Sequence, residues 1–348
     1  MNVERFFIAP DTPIKEAIRQ LDETAKKILV VVKDNQLTGV ITDGDIRRWI
    51  LKNKDLSLPV CHIMNPSPIV IKESELSHAL KIMQEKQIEG LPLINDDGQV
   101  LDILFWNELQ TEETPFVRKK KNPVVIMAGG KGSRLYPYTK IIPKPLIPIG
   151  DTPIVERIMN QIKAYGFTEF YLTVNYRKEL IKAYFNGDRR YHLHFVEEEN
   201  PLGTAGSLTL LKDRITGSFF VSNCDILIDI NYANLLLHHE TNKNQITVVT
   251  AMKNYEIPYG VVALDDSGCI RSLDEKPEYE LLVSTGLYVL NKEILNYIPE
   301  DTPFDMPDLI RLCLKNNEKV GAYPVMDSTW LDMGEFGEMK KMAEKMKL

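Results

Sequence analysis

The sequence predicts an α/β protein in which a mainly parallel sheet follows a smaller, duplicated α+β module. In the C-terminal two thirds, apolar runs typical of strands alternate with helical stretches, which is typical of a parallel sheet with helices on both faces. In the N-terminal third, one apolar pattern occurs twice at a fixed offset. The chain has 348 residues, a length that favours two domains over one core.

The duplicated module is predicted at the start of the chain. Residues near 11–46 align with residues 73–109, so that Ile14 matches Leu76 and Leu21 matches Met83. Each copy continues as a helix, an apolar strand (28–32; 91–94), a polar turn, a second strand (39–42; 102–105) and a short helix. We therefore predict repeats at 1–56 and 57–112, a solvated linker at 113–122 and a larger domain at 123–348.

Composition limits the classes of function. The hydrophobic fraction of 44% and the charged fraction of 26% are ordinary, and we find no apolar run that could cross a bilayer and no secretory signal. A cytoplasmic protein without a membrane partner is expected. The net charge of −7 argues against nucleic acid as a partner, so an anionic substrate needs local positive charge. The four cysteines are scattered, which disfavours a zinc site or disulfides.

The segment 124–146, VVIMAGGKGSRLYPYTKIIPKPL, joins a predicted buried strand to a glycine-rich loop. Glycines let the backbone turn tightly so that its N–H groups face an anion. Arg134 and Lys144 supply the positive charge. The dinucleotide pattern fails at Leu135 and the Walker pattern lacks its final Gly-Lys-Ser/Thr. A plain turn with solvated side chains is the alternative for the loop taken alone.

Together, AGGKGSRLYP and PKPLIPIGDTPIVERI resemble the sugar-1-phosphate nucleotidylyltransferases, which make NDP-sugars from an NTP and a sugar 1-phosphate. The resemblance extends from about Asn122 to the C-terminus. It implies a Rossmann-like catalytic domain in which Arg134, Lys144 and Asp225 are catalytic. It also implies nucleotide contacts from the loop, at Ala128, Gly129, Gly130, Gly132 and Ser133.

Two aspartates match the positions at which the family holds its metal. Asp225 ends SFFVSNCD and Asp332 lies in STWLDMGE. The resemblance implies one Mg²⁺, a hard cation that takes oxygen ligands and commonly only one or two protein carboxylates. An aspartate after a strand is otherwise more often a turn or helix cap. Cys224 replaces the family's common glycine, and we expect a small buried residue there.

The segment FVEEENPLGTAGSL resembles the family's base-recognition loop, especially its guanylyltransferase form. Here the resemblance implies contacts from Glu198, Pro201, Gly203 and Thr204. A carboxylate at Glu198 accepts two hydrogen bonds from the N1–H and N2–H₂ edge of guanine, so GTP is the expected donor. The alternative is an acidic loop that caps a helix beginning near Thr204.

Further motifs resemble the sugar-contact positions. They imply a carboxylate on the ring hydroxyls and a lysine on the sugar phosphate, with sites at Glu275, Lys276, Thr285 and Gly286. A surface turn around Pro277 is the alternative for the first pair.

The first repeat ends GVITDGDIRR and resembles a CBS domain, so the two repeats resemble the paired module that binds adenine nucleotides in many proteins. The resemblance implies a ligand site at Thr42 and Asp45, where the carboxylate accepts from ribose hydroxyls. The second repeat carries Phe105 and Glu108 instead, so at most one site is expected. A packing or dimerisation element is the alternative.

These observations predict a transferase that moves a nucleoside monophosphate from GTP, or another NTP, to a sugar 1-phosphate. The domain arrangement resembles the guanylyltransferases of bacterial legionaminic acid routes, which implies glucosamine 1-phosphate as acceptor, with mannose 1-phosphate as the alternative. A non-sugar phosphate acceptor and a nucleotide-sensing protein with an inactive transferase domain also stay open. A homo-oligomer is expected.

Overall fold

The computed structural model describes residues 3–24, 26–52, 55–86, 88–109 and 119–334, and the single residues 339, 342 and 344. Contacts divide the chain into two compact units, Met1–Phe116 and Val117–Leu348. The predicted linker 113–122 lies mostly outside the described residues, and the predicted boundaries within the first unit stay a prediction.

The first unit contains two three-stranded sheets, one in each repeat. In each sheet one strand pairing is parallel and the other is antiparallel. The elements are β1 (Phe7–Ile8), α1 (Ile14–Thr24), β2 (Ile28–Lys33), β3 (Gln36–Thr42), α2 (Asp43–Ile50), β4 (Ile71–Lys72), α3 (Ala79–Lys86), β5 (Gly90–Ile94), β6 (Val100–Phe105) and α4 (Trp106–Leu109).

The repeats are not equally regular. Helix α1 buries Ile14, Ala17, Ile18 and Leu21, the spacing that a 3.6-residue period requires. The matching Leu76 lies in a 3₁₀ segment before α3 and is 44% exposed. Leu76, which aligns with Ile14 in sequence, therefore does not share its burial, because the second helix starts only at Ala79.

The second unit is built on a seven-stranded sheet in the order β11-β10-β7-β12-β17-β14-β18. Four of its six pairings are parallel, and both antiparallel ones involve β17. The elements are β7 (Val124–Met127), β8 (Pro148–Ile149), β9 (Thr152–Pro153), α5 (Ile154–Lys163), β10 (Glu169–Val174), α6 (Lys178–Tyr184), β11 (His192–Glu197), α7 (Gly203–Gly206), β12 (Ser218–Asn223), β13 (Ile226–Ile228), α8 (Tyr232–Thr241), β14 (Ile246–Glu256), β15 (Val261–Leu264), β16 (Ile270–Asp274), β17 (Glu278–Asn291), α9 (Met306–Lys315), β18 (Val320–Met326) and β19 (Trp330–Asp332).

Helices cover both faces of this sheet. Successive side chains of a strand point to opposite faces, so each strand contributes to two cores. Val124 and Ile126 of β7 pack in one core with α5. Val125 packs in a second core with α7 and α9. The predicted fold class is confirmed, with the parallel part of the sheet on the side of β7.

The strand order decides where the loops meet. Strands β11, β10, β7 and β12 are parallel neighbours, so their carboxyl ends share one edge. The chain leaves that edge after Met127, Val174, Glu197 and Asn223. Ligands of open α/β sheets bind at such an edge, so the glycine loop, the residues after β10, the EEENPLG loop and Asp225 all lie where a ligand is expected.

One feature of the second unit was not predicted from the pattern. Strands β14 and β17 run on past the sheet as a two-stranded ribbon, from Lys253↔Leu281 to Glu256↔Glu278. The hairpin β15–β16 lies between them in sequence. Much of this region is exposed. Of the residues that the structure describes, none belongs to a helix long and apolar enough to span a membrane.

Candidate functional site

The glycine loop is held close to Lys144 by Gly132. Gly132 has a φ of 63°, and a Cβ there would lie 2.9 Å from both Lys144 Cβ and Thr139 Cγ2. The Thr139 hydroxyl donates to the Gly132 carbonyl at 3.0 Å. Only glycine accepts both the left-handed backbone and the close approach without strain. This residue therefore fixes how near Lys144 comes to the loop.

The other predicted loop residues lie in different surroundings. Ala128 is buried and donates its N–H to the Thr173 carbonyl at 2.9 Å. A Cβ on Gly130 would meet no described atom within 4 Å. Ser133 and Arg134 are exposed. The loop thus presents an open face at Gly130 with the Arg134 side chain beyond it.

Lys144 forms an ion pair with Asp225. Both side chains are largely buried, with 17% and 13% of their surface exposed. Asp225 follows β12 and lies at the carboxyl edge of the sheet, whereas Lys144 comes from the loop segment after β7. A predicted phosphate-binding lysine and a predicted metal ligand are therefore in direct contact.

Asp332 joins this pair through the short sheet β13–β19. Ile226 is registered opposite Asp332, and the Met333 N–H donates to the Asp225 carbonyl at 2.8 Å. Asp332 Oδ1 is buried and has no hydrogen-bond partner among the described residues. Burial raises the pKa of Asp332, and the Asp225 charge raises it further, while a hydrogen bond from the Gly334 backbone and the charges of Lys144 and Arg134 oppose the shift. All four charged residues predicted for catalysis or metal binding interact electrostatically in one place.

This arrangement fits Mg²⁺. Within the described ranges, no group of three or more His, Cys, Asp or Glu side chains is placed to hold a metal. Mg²⁺ does not require one, because it keeps several waters and takes substrate phosphates as ligands beside one or two carboxylates. An unpartnered, buried carboxylate oxygen at Asp332 is the donor that a hard cation would satisfy.

Cys224 is buried next to Asp225. Burial, with a further contribution from the Asp225 charge, raises the pKa of its thiol to about 12. The thiol therefore stays protonated and unreactive near neutral pH.

Glu198 lies between the glycine loop and the EEENPLG loop. Its side chain is 6% exposed, and a Cβ on Gly129 would lie 2.8 Å from Glu198 Oε1. The Leu202 N–H donates to Oε2 at 3.3 Å. Burial raises the pKa of Glu198, and the hydrogen bond from Leu202 opposes the shift. Gly129 is needed here for close approach to a carboxylate.

The helix that begins near Thr204 is capped by a residue distant in sequence. Asp305 Oδ1 accepts from the Thr204 N–H at 2.9 Å and from its hydroxyl at 3.0 Å. A Cβ on Gly203, whose φ is 78°, would lie 2.7 Å from the Phe304 carbonyl oxygen. Pro201 is exposed. Glycine at 203 thus admits the 304–305 segment. Asp305 caps Thr204, while Glu198 of the acidic loop accepts from the N–H of Leu202, the residue just before the helix, so the capping alternative for that loop stays open.

The neighbouring Glu197 has a separate partner set. Its carboxylate accepts from Lys178 Nζ at 2.6 Å and from Lys182 Nζ at 2.5 Å. These hydrogen bonds hold the pKa of Glu197 at about 2. Glu197, at the end of β11, is therefore paired with two lysines on the surface of α6.

The predicted sugar residues fall in two places. Gly286 has a φ of 90°, and a Cβ there would lie 2.5 Å from Asn223 Nδ2, just before Asp225 in sequence. The buried Thr285 donates its hydroxyl to the Val249 carbonyl at 2.9 Å. Glu275 and Lys276 are exposed in the turn between β16 and β17, where Glu275 lies against Gly260. The structure thus places only Thr285 and Gly286 directly beside the strand that leads to Asp225.

In the first unit, Thr42 and Asp45 bind each other. Thr42 caps α2, and its N–H and hydroxyl donate to Asp45 Oδ2 at 2.8 and 2.6 Å. Arg48 donates to Asp45 Oδ1 at 2.5 Å. Helix capping accounts for both side chains, so a ribose would have to compete with these contacts.

The corresponding residues of the second repeat contact the first. Phe105 packs on Phe6 with ring centroids 5.6 Å apart. Glu108 forms an ion pair with Lys26 at 2.6 Å. The departures from the nucleotide-binding pattern in the second repeat are thus used to pack the two repeats together.

Residues 123–347 match the family model described as nucleotidyl transferase, and residues 1–52 and 60–108 match the CBS domain model. The chain belongs to the nucleotidyl transferase family. A CBS pair precedes its transferase domain.

Curated relatives match about 61% of the chain. They include the bifunctional protein GlmU of Methanococcus aeolicus, 32% identical over 220 residues and matched over 51% of its length. A probable mannose-1-phosphate guanylyltransferase of Oryza sativa is 30% identical over 221 residues, 61% of its length. A UTP–glucose-1-phosphate uridylyltransferase of Synechocystis is 31% identical over 233 residues, 60% of its length. The chain therefore spans only half to three fifths of these relatives.

Among solved structures, HddC from Yersinia pseudotuberculosis aligns with a TM-score of 0.52 at 24% identity, over 65% of this chain and 99% of that one. HddC complexed with GMP-PN aligns with a TM-score of 0.50. At this identity the likeness shows a shared fold.

Proposed function

We propose that this protein transfers a nucleoside monophosphate from an NTP to a sugar 1-phosphate and releases pyrophosphate. One observation carries the proposal. Lys144, Asp225 and Asp332 meet at the carboxyl edge of the sheet, next to the glycine loop, although they come from three distant parts of the chain. Positive charge, two carboxylates and free backbone amides are what a reaction between two phosphates requires.

In the proposed reaction, an oxygen of the sugar 1-phosphate attacks the α-phosphorus of the NTP in line with the departing pyrophosphate. No protein nucleophile is needed, because the phosphate itself attacks. In this proposal Lys144 neutralises the α-phosphate, and Arg134 with the loop amides stabilises the pyrophosphate. Asp225 and Asp332 would hold Mg²⁺, which supplies neutralising charge to phosphate oxygens.

GTP is the proposed donor. Glu198 supports this choice, because its desolvated carboxylate lies beside Gly129 and gains from the two adjacent donors of guanine. The relatives include both a guanylyltransferase and a uridylyltransferase. The proposal of GTP therefore depends on the Glu198 carboxylate and not on the family.

Glucosamine 1-phosphate is the proposed acceptor, with mannose 1-phosphate as the second candidate. Support for the first is the arrangement of a CBS pair before the transferase domain. Support for the second is the similarity to the probable mannose-1-phosphate guanylyltransferase of Oryza sativa. We also propose that the protein is a cytoplasmic homo-oligomer and that its CBS pair binds an adenine nucleotide. Asp45 would have to release Arg48 before its carboxylate could accept from a ribose.

The test is a matrix of four NTPs against a panel of sugar 1-phosphates and phosphocholine, with Mg²⁺ and pyrophosphate release as readout. We expect the largest rate with GTP and glucosamine 1-phosphate. Glu198→Gln should lower the preference for GTP over UTP at least about tenfold, because an amide offers one acceptor where the carboxylate offers two.

The matched control is Glu197→Gln, which changes the adjacent carboxylate but only its pairs with Lys178 and Lys182. It should leave the GTP to UTP ratio unchanged. If no combination releases pyrophosphate, the protein is a nucleotide-binding module and the proposal is wrong.

A further inference from the structure

Three consecutive residues after β10, Asn175, Tyr176 and Arg177, contact both halves of the candidate nucleotide site. They follow Val174 at the carboxyl edge of the sheet, between the glycine loop on the β7 side and the EEENPLG loop on the β11 side. Sequence motifs did not point to them, and the proposed reaction assigns them no role.

Their contacts to the glycine loop and the segment after it are hydrogen bonds to backbone carbonyls, one donated by a backbone N–H and two by side chains. The Tyr176 N–H donates to the Gly129 carbonyl at 3.4 Å, and the Tyr176 hydroxyl donates to the Thr139 carbonyl at 3.1 Å. Arg177 donates to the Lys140 carbonyl at 2.5 Å and, through Nε, to the Tyr176 hydroxyl at 3.1 Å. Side chains that bind carbonyls hold a segment in place without using its N–H groups.

The contact to the other half is made by Asn175. Its side-chain amide donates to the Glu198 carbonyl at 2.8 Å, while the Glu198 N–H donates to the Val174 carbonyl at 3.0 Å. Both the backbone N–H and the backbone carbonyl of Glu198 are thereby held by hydrogen bonds. The carboxylate proposed to bind guanine and the loop proposed to bind phosphate are tied to the same tripeptide.

Backbone conformation supports a positioning role over a generic turn. Arg177 has a φ of 50°, which is uncommon for a residue other than glycine and costs free energy of order 1 kcal/mol or more. That conformation is retained together with two hydrogen bonds from its guanidinium. The left-handed residue thus coincides with the contacts to the 138–140 segment.

We propose that Tyr176 and Asn175 are positioning residues that set the separation of the glycine loop and Glu198, and hence the affinity for the nucleotide but not for the sugar phosphate. The inference rests on the proposed function for the identity of the nucleotide. One net hydrogen bond corresponds to a factor of about two to ten in an equilibrium.

The experiment compares Tyr176→Phe with Tyr232→Phe. Both changes remove a tyrosine hydroxyl that donates to a backbone carbonyl at 3.1 Å, but Tyr232 bonds to Ile228, away from the nucleotide loops. We expect Tyr176→Phe to raise the KM for GTP roughly three- to tenfold, with the KM for glucosamine 1-phosphate changed by less than about twofold. Asn175→Ala should raise the KM for GTP and also lower the preference for GTP over UTP.

Hydrogen exchange of the backbone amides of residues 129–142, measured without substrate, is the second readout. Exchange should be faster in Tyr176→Phe and unchanged in Tyr232→Phe, because the hydroxyl of Tyr176 bonds to this segment and that of Tyr232 bonds to Ile228. This readout separates the inference from the proposed function: a wild type that turns over no substrate refutes the latter alone. Unchanged exchange in Tyr176→Phe overturns the inference, as does an equal rise in both KM values.

Discussion

Asp332→Asn should make the protein more stable and less active at the same time. Asp332 is partly buried, its buried Oδ1 has no hydrogen-bond partner among the described residues, and its carboxylate lies beside the like charge of Asp225. In the absence of metal, its negative charge is a cost to the folded state. The substitution removes that charge and keeps the shape of the side chain.

The size of the effect follows from the surroundings. A buried polar atom without a hydrogen-bond partner costs about 1–3 kcal/mol, and a hydrogen bond from the Gly334 backbone together with the attraction of Lys144 and Arg134 offsets part of that cost at Asp332. We therefore expect the free energy of unfolding to rise by about 1–2 kcal/mol, which raises the Tm of a domain of this size by roughly 2–8 °C. Activity should fall by a factor on the order of 100 or more, because a ligand of the catalytic metal is lost.

The pH dependence has a definite sign. The folded-state pKa of Asp332 lies above the ordinary value of 3.8, so the folded state binds this proton more tightly than the unfolded state does. The contribution of Asp332 is therefore favourable below pH 3.8 and is lost as the pH rises through the folded-state pKa. The stability gap between Asp332→Asn and wild type should open across that interval and then stay constant to pH 7.

The assay is thermal unfolding in EDTA and again with Mg²⁺ and GTP. The control is Asp327→Asn, an aspartate five residues earlier that pairs with Lys253 at 2.6 Å on the surface. It should leave activity unchanged and Tm unchanged or slightly lower, since exposed pairs contribute about 0–1 kcal/mol. A less stable Asp332→Asn in EDTA, or one that keeps the Mg²⁺-dependent rise in Tm, would refute the reasoning.

Three further outcomes are expected. Gly132→Ala should cost about 1–3 kcal/mol of stability in urea unfolding, because its Cβ meets Lys144 in a left-handed conformation, whereas Gly130→Ala should cost less than about 1 kcal/mol and weaken GTP binding. His239 is buried and its pKa lies below 6.5 because of desolvation, so unfolding measured from pH 8 to 5 should show stability falling below about pH 6.5, and less so in a His239→Gln variant. Asp45→Ala should lower the stability of the first unit by about 0.5–2 kcal/mol without any ligand, through loss of its capping hydrogen bonds; equal stability in the two proteins would contradict that role.

Much of the fold could be predicted from local patterns. The repeated strands of the first unit begin within three residues and end within one residue of their predicted bounds, because hydrophobic period and turn residues act over a few positions. The ribbon formed by β14 and β17 was missed. Its strands are exposed at their far ends and lack the burial that makes a strand recognisable in sequence.

The site was only partly predictable for the same reason. Motifs identified Arg134, Lys144, Asp225 and Asp332 as candidates one at a time. Asn175 and Tyr176 carried one weak signal that was overlooked, namely polar side chains directly after a buried strand. Asp305 carried none, because an aspartate 101 residues away from Thr204 reveals itself as a helix cap only when the chain is folded.

By itself, the sequence determined which segments become strands, helices and a flexible-backbone loop, since those choices depend on side chains within a few residues of one another. It also determined the family. Only the tertiary structure decided that Lys144 meets Asp225 across 81 residues and that Asp332 keeps an unpartnered oxygen beside them. Those contacts follow from strand order and register, and the free energy of a charged group depends on which distant charges and how much water the fold leaves around it.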